Sequence, residues 1–230
     1  MSDDQDKDKR LAAEAAVAEI RPGMMVGLGT GSTAAHMIRA IGRRVADGLS
    51  IKAVATSRAS AELAESLGIT VHEFMDVRQV DLTIDGADEI DSAMLVVKGA
   101  GGAMLREKCV VAASDRMVVI ADGAKRVKRI GKAAIPVEAL PFARSYVERA
   151  LEDRTYPELR MTNGEAYRTD QGNLVFDCAF RDLSDPQEAA IWLQAIPGVL
   201  GHGLFLSEVD ATYVCDDGVV TKLERSELQG

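Results

Sequence analysis

Through the first 130 residues, short apolar runs alternate with longer stretches whose apolar residues recur every three or four positions. Residues 8–20 are rich in alanine, with Leu11, Ala15 and Ala18 on one helical face, and Pro22-Gly23 ends the segment. Residues 24–28 form a short buried strand that runs through Gly29-Thr30-Gly31-Ser32-Thr33 into a helix over 34–45. Further strands are predicted at 51–55, 70–74, 80–84, 94–97 and 117–121, with helices at 59–67 and 103–113 between them. Strands alternating with helices at this spacing predict an α/β fold: a Rossmann-like parallel sheet with helices on both faces.

The pattern changes near Ile130. A strand at 135–139 and a helix at 142–151 precede strands at 159–161, 167–169 and 174–180, separated by Asn163-Gly164 and Gln171-Gly172-Asn173 turns. A helix over 186–195 ends at Pro197-Gly198, and strands at 203–206, 211–215 and 219–223 close the chain. This predicts a larger α/β domain from residues 1–130 and 203–230. Residues 131–202 form a smaller α+β domain, expected to act as a lid or in oligomerisation.

Composition narrows the function. Hydrophobic residues make up 47% and charged residues 27% of 230, ordinary for a globular protein that buries a real core. A formal net charge of -9 argues against a nucleic-acid partner but leaves room for an anionic small molecule in a locally positive pocket. Cys109, Cys178 and Cys215 are far apart and form no C-x-x-C pair, which fits reduced thiols in a cytoplasmic protein. His36, His72 and His202 are scattered and read as structural or surface residues. The charged N-terminus lacks an apolar signal core, and no run approaches the roughly 20 apolar residues of a membrane span.

Candidate chemistry gathers at predicted strand ends. Asp85 and Asp88 follow the run at 80–84, within D-G-A-D-E-I-D. Lys98 follows the run at 94–97 and enters Gly99-Ala100-Gly101-Gly102, which opens the helix that carries Glu107. Each motif alone is common in loops. Together they supply carboxylates, an ammonium group and a flexible turn where α/β sheets bind ligands, as proton transfer on a polar substrate requires. The acidic spacing misses the calcium-loop pattern. Gly29 to Thr33, a glycine turn with hydroxyls at a helix start, forms an anion site but neither a Walker loop nor a good dinucleotide fingerprint. Lys125 closes the strand at 117–121, and Lys9, near the start of the first helix, reads on pattern alone as a solvated lysine.

G-L-G-T-G-S-T-A, D-G-A-D-E-I-D, K-G-A-G-G-A-M-L-R-E-K and A-D-G-A-K, in this order, resemble the type A ribose-5-phosphate isomerases. Gly131-Lys132, Pro136-Val137-Glu138 and I-P-G-V continue the resemblance over nearly the whole chain. It implies interconversion of D-ribose 5-phosphate and D-ribulose 5-phosphate in the pentose phosphate pathway, with no metal and no organic cofactor. It also implies catalysis by the larger domain and a homodimer or a dimer of dimers. Glu107 would be the base between C1 and C2, and Asp85, Asp88 and Lys98 would manage ring opening and the oxygen-bound protons. Thr30, Gly31, Ser32 and Thr33 would hold the phosphate, with Lys9 in reach. Gly86, Ala87, Gly99, Ala100, Gly101 and Lys125 would line the same site. Ala100 stands where relatives often carry glycine, so its methyl group restricts φ in that turn.

A sugar-phosphate sensor of similar fold would keep Thr30 to Thr33 but would not need Glu107 and Lys98. An amino-sugar phosphate deaminase would be expected to open its ring with a histidine, and none of the three lies in these motifs. The residue pattern predicts that conversion of ribose 5-phosphate persists at full rate after exhaustive chelation. An activity lost to chelator and restored by a divalent ion would instead indicate a metal-assisted hydride shift.

Overall fold

A computed structural model describes residues 3–228. Helix α1 (Asp3–Val17) begins earlier than residue 8. Its charged first turns find partners: Asp6 lies 3.0 Å from His36 Nε2, and Asp8 accepts a 2.9 Å hydrogen bond from the Gly218 N–H. There follow β1 (Met25–Leu28), α2 (Ser32–Ala46), β2 (Lys52–Ala55), α3 (Arg58–Ser66), β3 (Leu82–Gly86), β4 (Glu89–Ile90) and β5 (Val96–Val97). Then come α4 (Met104–Ala112), β6 (Met117–Asp122), β7 (Ile135–Ala139), α5 (Arg144–Leu151), β8 (Thr155–Leu159), β9 (Met161–Thr162) and β10 (Glu165–Ala166). The chain ends with β11 (Leu174–Phe180), α6 (Pro186–Ala195), β12 (Val199–His202), β13 (Leu204–Phe205), β14 (Ala211–Asp216) and β15 (Val219–Glu224).

The chain divides into two units. The first contains the chain up to Ala87, Cys109–Arg126 and everything from Glu208 on. Its six-stranded sheet has the order β15-β14-β6-β3-β1-β2 and is parallel except for β15. Alternate strand residues face opposite sides. Val26, Leu28, Leu82, Ile84, Val118 and Ile120 pack against α1 and α2, where Ala12, Ala13 and Ala16 let the helix approach closely. Val54 and Val80 face the other side and meet Val110 of α4. Helices therefore cover both faces, as the alternating pattern predicts. A Cβ on Gly27 would lie 2.0 Å from Thr83 Oγ1 and 2.9 Å from Val110, so glycine is required under α4.

The predicted strand at 70–74 does not form. Val71 makes an isolated parallel bridge to Ala53 at the β2 edge of the sheet, and Phe74–Asp76 closes into a 3-10 turn.

The second unit contains Asp88–Lys108 and Val127–Ser207. Its four-stranded antiparallel sheet, β12-β7-β11-β8, buries Val137 and Phe176 with Val147 and Leu151 of α5 and Leu193 of α6. A three-stranded antiparallel sheet, β13-β5-β4, and the β9–β10 hairpin complete it.

The partition differs from that expected. Residues 88–108 and 203–206 belong to the second unit, and the run at 94–97 pairs in an antiparallel sheet instead of extending the parallel one. A short apolar run does not state its partner, and Met94, at φ 58°, marks a turn rather than a strand start. The strand expected at 159–161 is β8, shifted to Thr155–Leu159. Pro157 is tolerated because β8 is the sheet edge, where a missing N–H breaks no ladder bond. The strand expected at 167–169 is replaced by β10, and β12 was not anticipated.

Cys109, Cys178 and Cys215 are unpaired thiols, and burial pushes Cys178 up to about 12. Among the described residues, no helix is long and apolar enough to cross a membrane.

One polar cluster ties α1 to the sheet. Glu19, just past α1, accepts from Arg116 Nε at 2.8 Å and from the Tyr213 hydroxyl at 2.7 Å, and lies 3.0 Å from Lys222 Nζ. Burial alone would raise its pKa, but the hydrogen bonds from Arg116, Tyr213 and Lys222 outweigh burial and hold it at about 2. A depressed carboxylate stabilises the fold above its unfolded pKa, and that stability is lost as pH falls through the folded value. Glu19→Gln should therefore cost about 1.5–3 kcal/mol at pH 7, the range for hydrogen bonds to charged groups. The gap from wild type should close between the ordinary value of 4.5 and about 2. Denaturant unfolding at pH 7 and pH 3 measures both.

Candidate active site

In a parallel sheet all carboxyl ends leave by one edge, and ligands bind there. In the first unit that edge carries the glycine turn after β1, Thr56-Ser57 after β2, Asp85 near the end of β3 and Asp122 at the end of β6. Asp85 is 0% exposed. Its Oδ1 accepts from the N–H groups of Thr30 at 3.0 Å and Gly86 at 2.7 Å. The approach of the glycine turn to Asp85 depends on Gly29, where a Cβ would lie 2.0 Å from Asp85 Oδ1 and 2.6 Å from its Cα.

Hydroxyl groups hold the turn from its other side. Thr56 Oγ1 donates to Leu28 O at 3.1 Å, so the 2.8 Å bond between Thr30 Oγ1 and Thr56 Oγ1 takes its proton from Thr30. Ser60 Oγ donates to Gly29 O at 2.7 Å. Gly31, at φ 105°, begins α2, and Ser32 and Thr33 occupy its first turn. Helix N-termini with free amides favour anions. Lys9 does not reach into solvent: it is 4% exposed, and its Nζ donates to Ser32 Oγ at 3.1 Å. Lys125 is half-buried in the 3-10 turn after β6, whose start is capped by Asp122 Oδ1 accepting from Ala124 N–H at 3.1 Å.

In the second unit, Lys98 follows β5 and Glu107 lies in the first turn of α4. They are 2% and 3% exposed, with Lys98 Nζ 3.4 Å from Glu107 Oε2. Lys98 is anchored by its N–H, which donates to Gly203 O at 2.9 Å. A side chain on Gly203 is excluded, because its Cβ would sit 2.1 Å from Lys98 O. Lys98 Nζ lies 5.7 Å and Lys108 Nζ 4.0 Å from the Phe205 ring centre.

The next residues form a turn closed by Gly102 N–H donating to Gly99 O at 2.9 Å. The left-handed positions are Gly99, φ 104°, and Gly102, φ 74°. Ala100 is not among them, so its exposed methyl group leaves the turn intact. Its N–H donates to Asp88 Oδ2 at 2.8 Å.

Helix α4 is preceded by Ala103, whose carbonyl accepts from Glu107 N–H and whose side chain cannot cap. The buried Glu138 on β7 supplies the missing acceptor. It takes a hydrogen bond from the Leu105 N–H and accepts from Thr169 Oγ1 and Asn173 Nδ2, each at 2.9 Å. Burial pushes its pKa up, against the effect of these donors.

The acidic cluster of D-G-A-D-E-I-D disperses. Glu89 turns to the N–H groups of Gly131 at 2.7 Å and Ala133 at 2.6 Å, and Asp91 to those of Ala93 and Leu95, each at 3.0 Å. Among the described residues, no group of three or more His, Cys, Asp or Glu side chains converges as metal ligands.

Of the residues singled out by sequence, the first unit brings together Asp85, Gly86 and Thr30, and pairs Lys9 with Ser32. The second pairs Lys98 with Glu107 and Asp88 with Ala100. Ser60 carried no signal, nor did Arg160 and Tyr167, whose side chains donate to the carbonyls of Gly99, Ala100 and Gly101, because each acts through a backbone group far away in sequence. Glu138 belongs to the Pro136-Val137-Glu138 motif, but nothing local shows that it reaches α4.

The family model for ribose 5-phosphate isomerase A (phosphoriboisomerase A) matches residues 52–218. A ribose-5-phosphate isomerase A from Sphingopyxis alaskensis is 45% identical over 221 residues, covering 96% of this chain and 97% of its own. The crystal structure of ribose 5 phosphate isomerase A from Neisseria gonorrhoeae is 38% identical, with a TM-score of 0.90 over 96% of this chain and 97% of that one. A D-ribose-5-phosphate isomerase in complex with phospho-erythronic acid is 33% identical, with a TM-score of 0.91 over 95% of this chain and 98% of that one.

The contact between Gly29 and Asp85 predicts that Gly29→Ala is destabilising. Backbone atoms must move to admit the methyl group, and overpacking of this kind costs about 1–3 kcal/mol. A thermal melt measures it. Gly31→Ala, where no atom lies within 4 Å of the added Cβ, should cost only backbone strain, about 1–3 kcal/mol for a conformation at φ 105° and ψ -177° that is essentially confined to glycine.

Proposed function

The chain belongs to the ribose 5-phosphate isomerase A family, and from that premise we propose that Glu107 is the base of a proton transfer between C1 and C2 of the sugar. The chain is an enzyme, a ribose-5-phosphate isomerase of the pentose phosphate pathway. The observation that carries the proposed mechanism is the buried Lys98–Glu107 pair.

A proton next to a carbonyl is weakly acidic, so its removal needs a base and a stabiliser for the oxygen that becomes negative. In the open-chain aldose, Glu107 takes the proton from C2. The C–H electron pair forms the C1–C2 double bond, and the carbonyl pair moves onto O1. Lys98 offsets the charge on the enediolate oxygen. The hydroxyl proton on O2 is lost while O1 gains one, the carbon proton returns from Glu107 to C1, and the ketose carbonyl stands at C2. No electrons enter or leave, so the sequence needs no external oxidant or reductant.

Asp85, Asp88 and Lys98 open the ring and exchange the oxygen-bound protons. Thr30, Gly31, Ser32 and Thr33 hold the phosphate at the α2 N-terminus, with the charge of Lys9 behind Ser32. Gly86, Ala87, Gly99, Ala100, Gly101 and Lys125 line the sugar. A relative takes phospho-erythronic acid, which carries a phosphate and a carboxylate. That supports a site built for a phosphate at one end and an enediolate-like pair of oxygens at the other.

The working protein is a homodimer or a dimer of dimers, with the second unit as lid or contact surface. The exposed side chains of Leu140, Phe142 and Tyr146, clustered in sequence on that unit, support this. The three unpaired thiols support a cytoplasmic setting.

Glu107→Gln preserves shape and removes the base. A positioned general base contributes about 10²–10⁴-fold. The variant should lose at least about 100-fold in kcat by that measure, with KM within a few-fold. NMR in deuterium oxide should show label entering C1 or C2 with wild type only. A near wild-type rate for the variant would remove Glu107 from the role.

A further inference from the structure

One side chain that the mechanism does not use holds the substrate-lining turn of the second unit from behind. Arg160 lies between β8 and β9. Its backbone is fixed on both sides: its N–H donates to Val175 O, and its carbonyl accepts from Tyr167 N–H, each at 2.8 Å. The guanidinium fork grips Asp177 of β11 with Nε, at 2.8 Å, and with Nη2. The remaining Nη1 donates to two consecutive carbonyls, Gly99 O at 3.0 Å and Ala100 O at 3.1 Å. The Tyr167 hydroxyl donates to the third, Gly101 O, at 3.2 Å, and its ring centre lies 5.6 Å from the guanidinium carbon of Arg160. A Cβ on Gly102 would lie 2.2 Å from that hydroxyl, so the turn is seated against Tyr167.

The direction of these carbonyls fixes the direction of the amides. In a trans peptide the C=O and the following N–H point to opposite sides. The peptide between Gly99 and Ala100 shows this directly: its oxygen faces Arg160, and its N–H reaches Asp88 Oδ2 at 2.8 Å. The next peptide has its oxygen on the same Arg160 nitrogen, so the Gly101 N–H also points away from Arg160, to the side of Asp88. Two successive amides facing one way form an anion-binding concavity.

We propose that Arg160 is a positioning residue. Through Gly99 O and Ala100 O it turns the Ala100 and Gly101 amides toward the substrate, where they support Asp88 and the oxygen on which enediolate charge develops. This rests on the enediolate mechanism above. Arginine suits the task because one planar group serves a carboxylate on one edge and two carbonyls from the other, which a lysine ammonium cannot do in the same geometry.

The test compares Arg160→Lys, Arg160→Met, Tyr167→Phe and Glu107→Gln, assayed with ribose 5-phosphate well below each variant's Tm. Misplacing a catalytic group by ~1 Å can cost about 100-fold. Arg160→Met should thus lose about 10- to 100-fold in kcat, with KM within about threefold. Arg160→Lys should lose roughly 10-fold and Tyr167→Phe only a few-fold by the same reasoning. A merely structural role predicts a lower Tm with kcat unchanged, and that result in either Arg160 variant overturns the proposal. If Arg160→Met does not fold, Arg160→Lys decides alone. If Glu107→Gln keeps its rate, the enediolate mechanism fails and the proposal with it. If Glu107→Gln is inactive while the Arg160 variants keep full kcat, only the positioning role fails.

Discussion

A carboxylate and an ammonium group that are almost wholly removed from water must face an opposite charge, because an isolated buried ion costs several kcal/mol. Lys98 and Glu107, 2% and 3% exposed, are in this position, and much of the second unit serves to hold them there. Lys98 is fixed through its own backbone to Gly203, just before β13, where glycine is required. Glu107 is fixed by the start of α4, where Glu138 supplies the acceptor that Ala103 lacks. Removing one member of such a pair costs about 3–5 kcal/mol, since the other is left buried and unpaired.

The first unit solves a different problem. A turn that binds a phosphate must present N–H groups outward while its carbonyls are satisfied behind it. Thr56 holds Leu28 O and Ser60 holds Gly29 O, while the Thr30 N–H goes to Asp85, as the proposed phosphate site requires. In the second unit Arg160 and Tyr167 play the corresponding part for Gly99, Ala100 and Gly101. In both units the segment proposed to face the substrate is rich in glycine, and side chains distant in sequence bind its carbonyls.

Sequence made most of the candidate residues legible. Asp85 and Lys98 stand out because polar groups directly after apolar runs mark strand ends, and Asp88 and Glu107 lie in the loop and the helix that follow them. The reading of Lys9 as solvated, made on pattern alone, does not hold, since its neighbours on α1 are charged and nothing local shows that it packs onto Ser32. The concern over Ala100 came from counting glycines. Only φ decides which positions of a turn need glycine, and these are 99 and 102.

By itself the sequence determined most of the element types, the parallel sheet of the first unit and the candidate residues for the chemistry. Those follow from local periodicity, from turn residues and from the pairing of charge types with loops. Tertiary structure alone decided that residues 88–108 fold with the antiparallel unit, that Pro157 lies on an edge strand, and that Glu138 and Arg160 reach the active-site segments. Strand partners and long-range caps depend on which groups meet across scores of intervening residues, and the periodicity of a short segment contains no record of its partner.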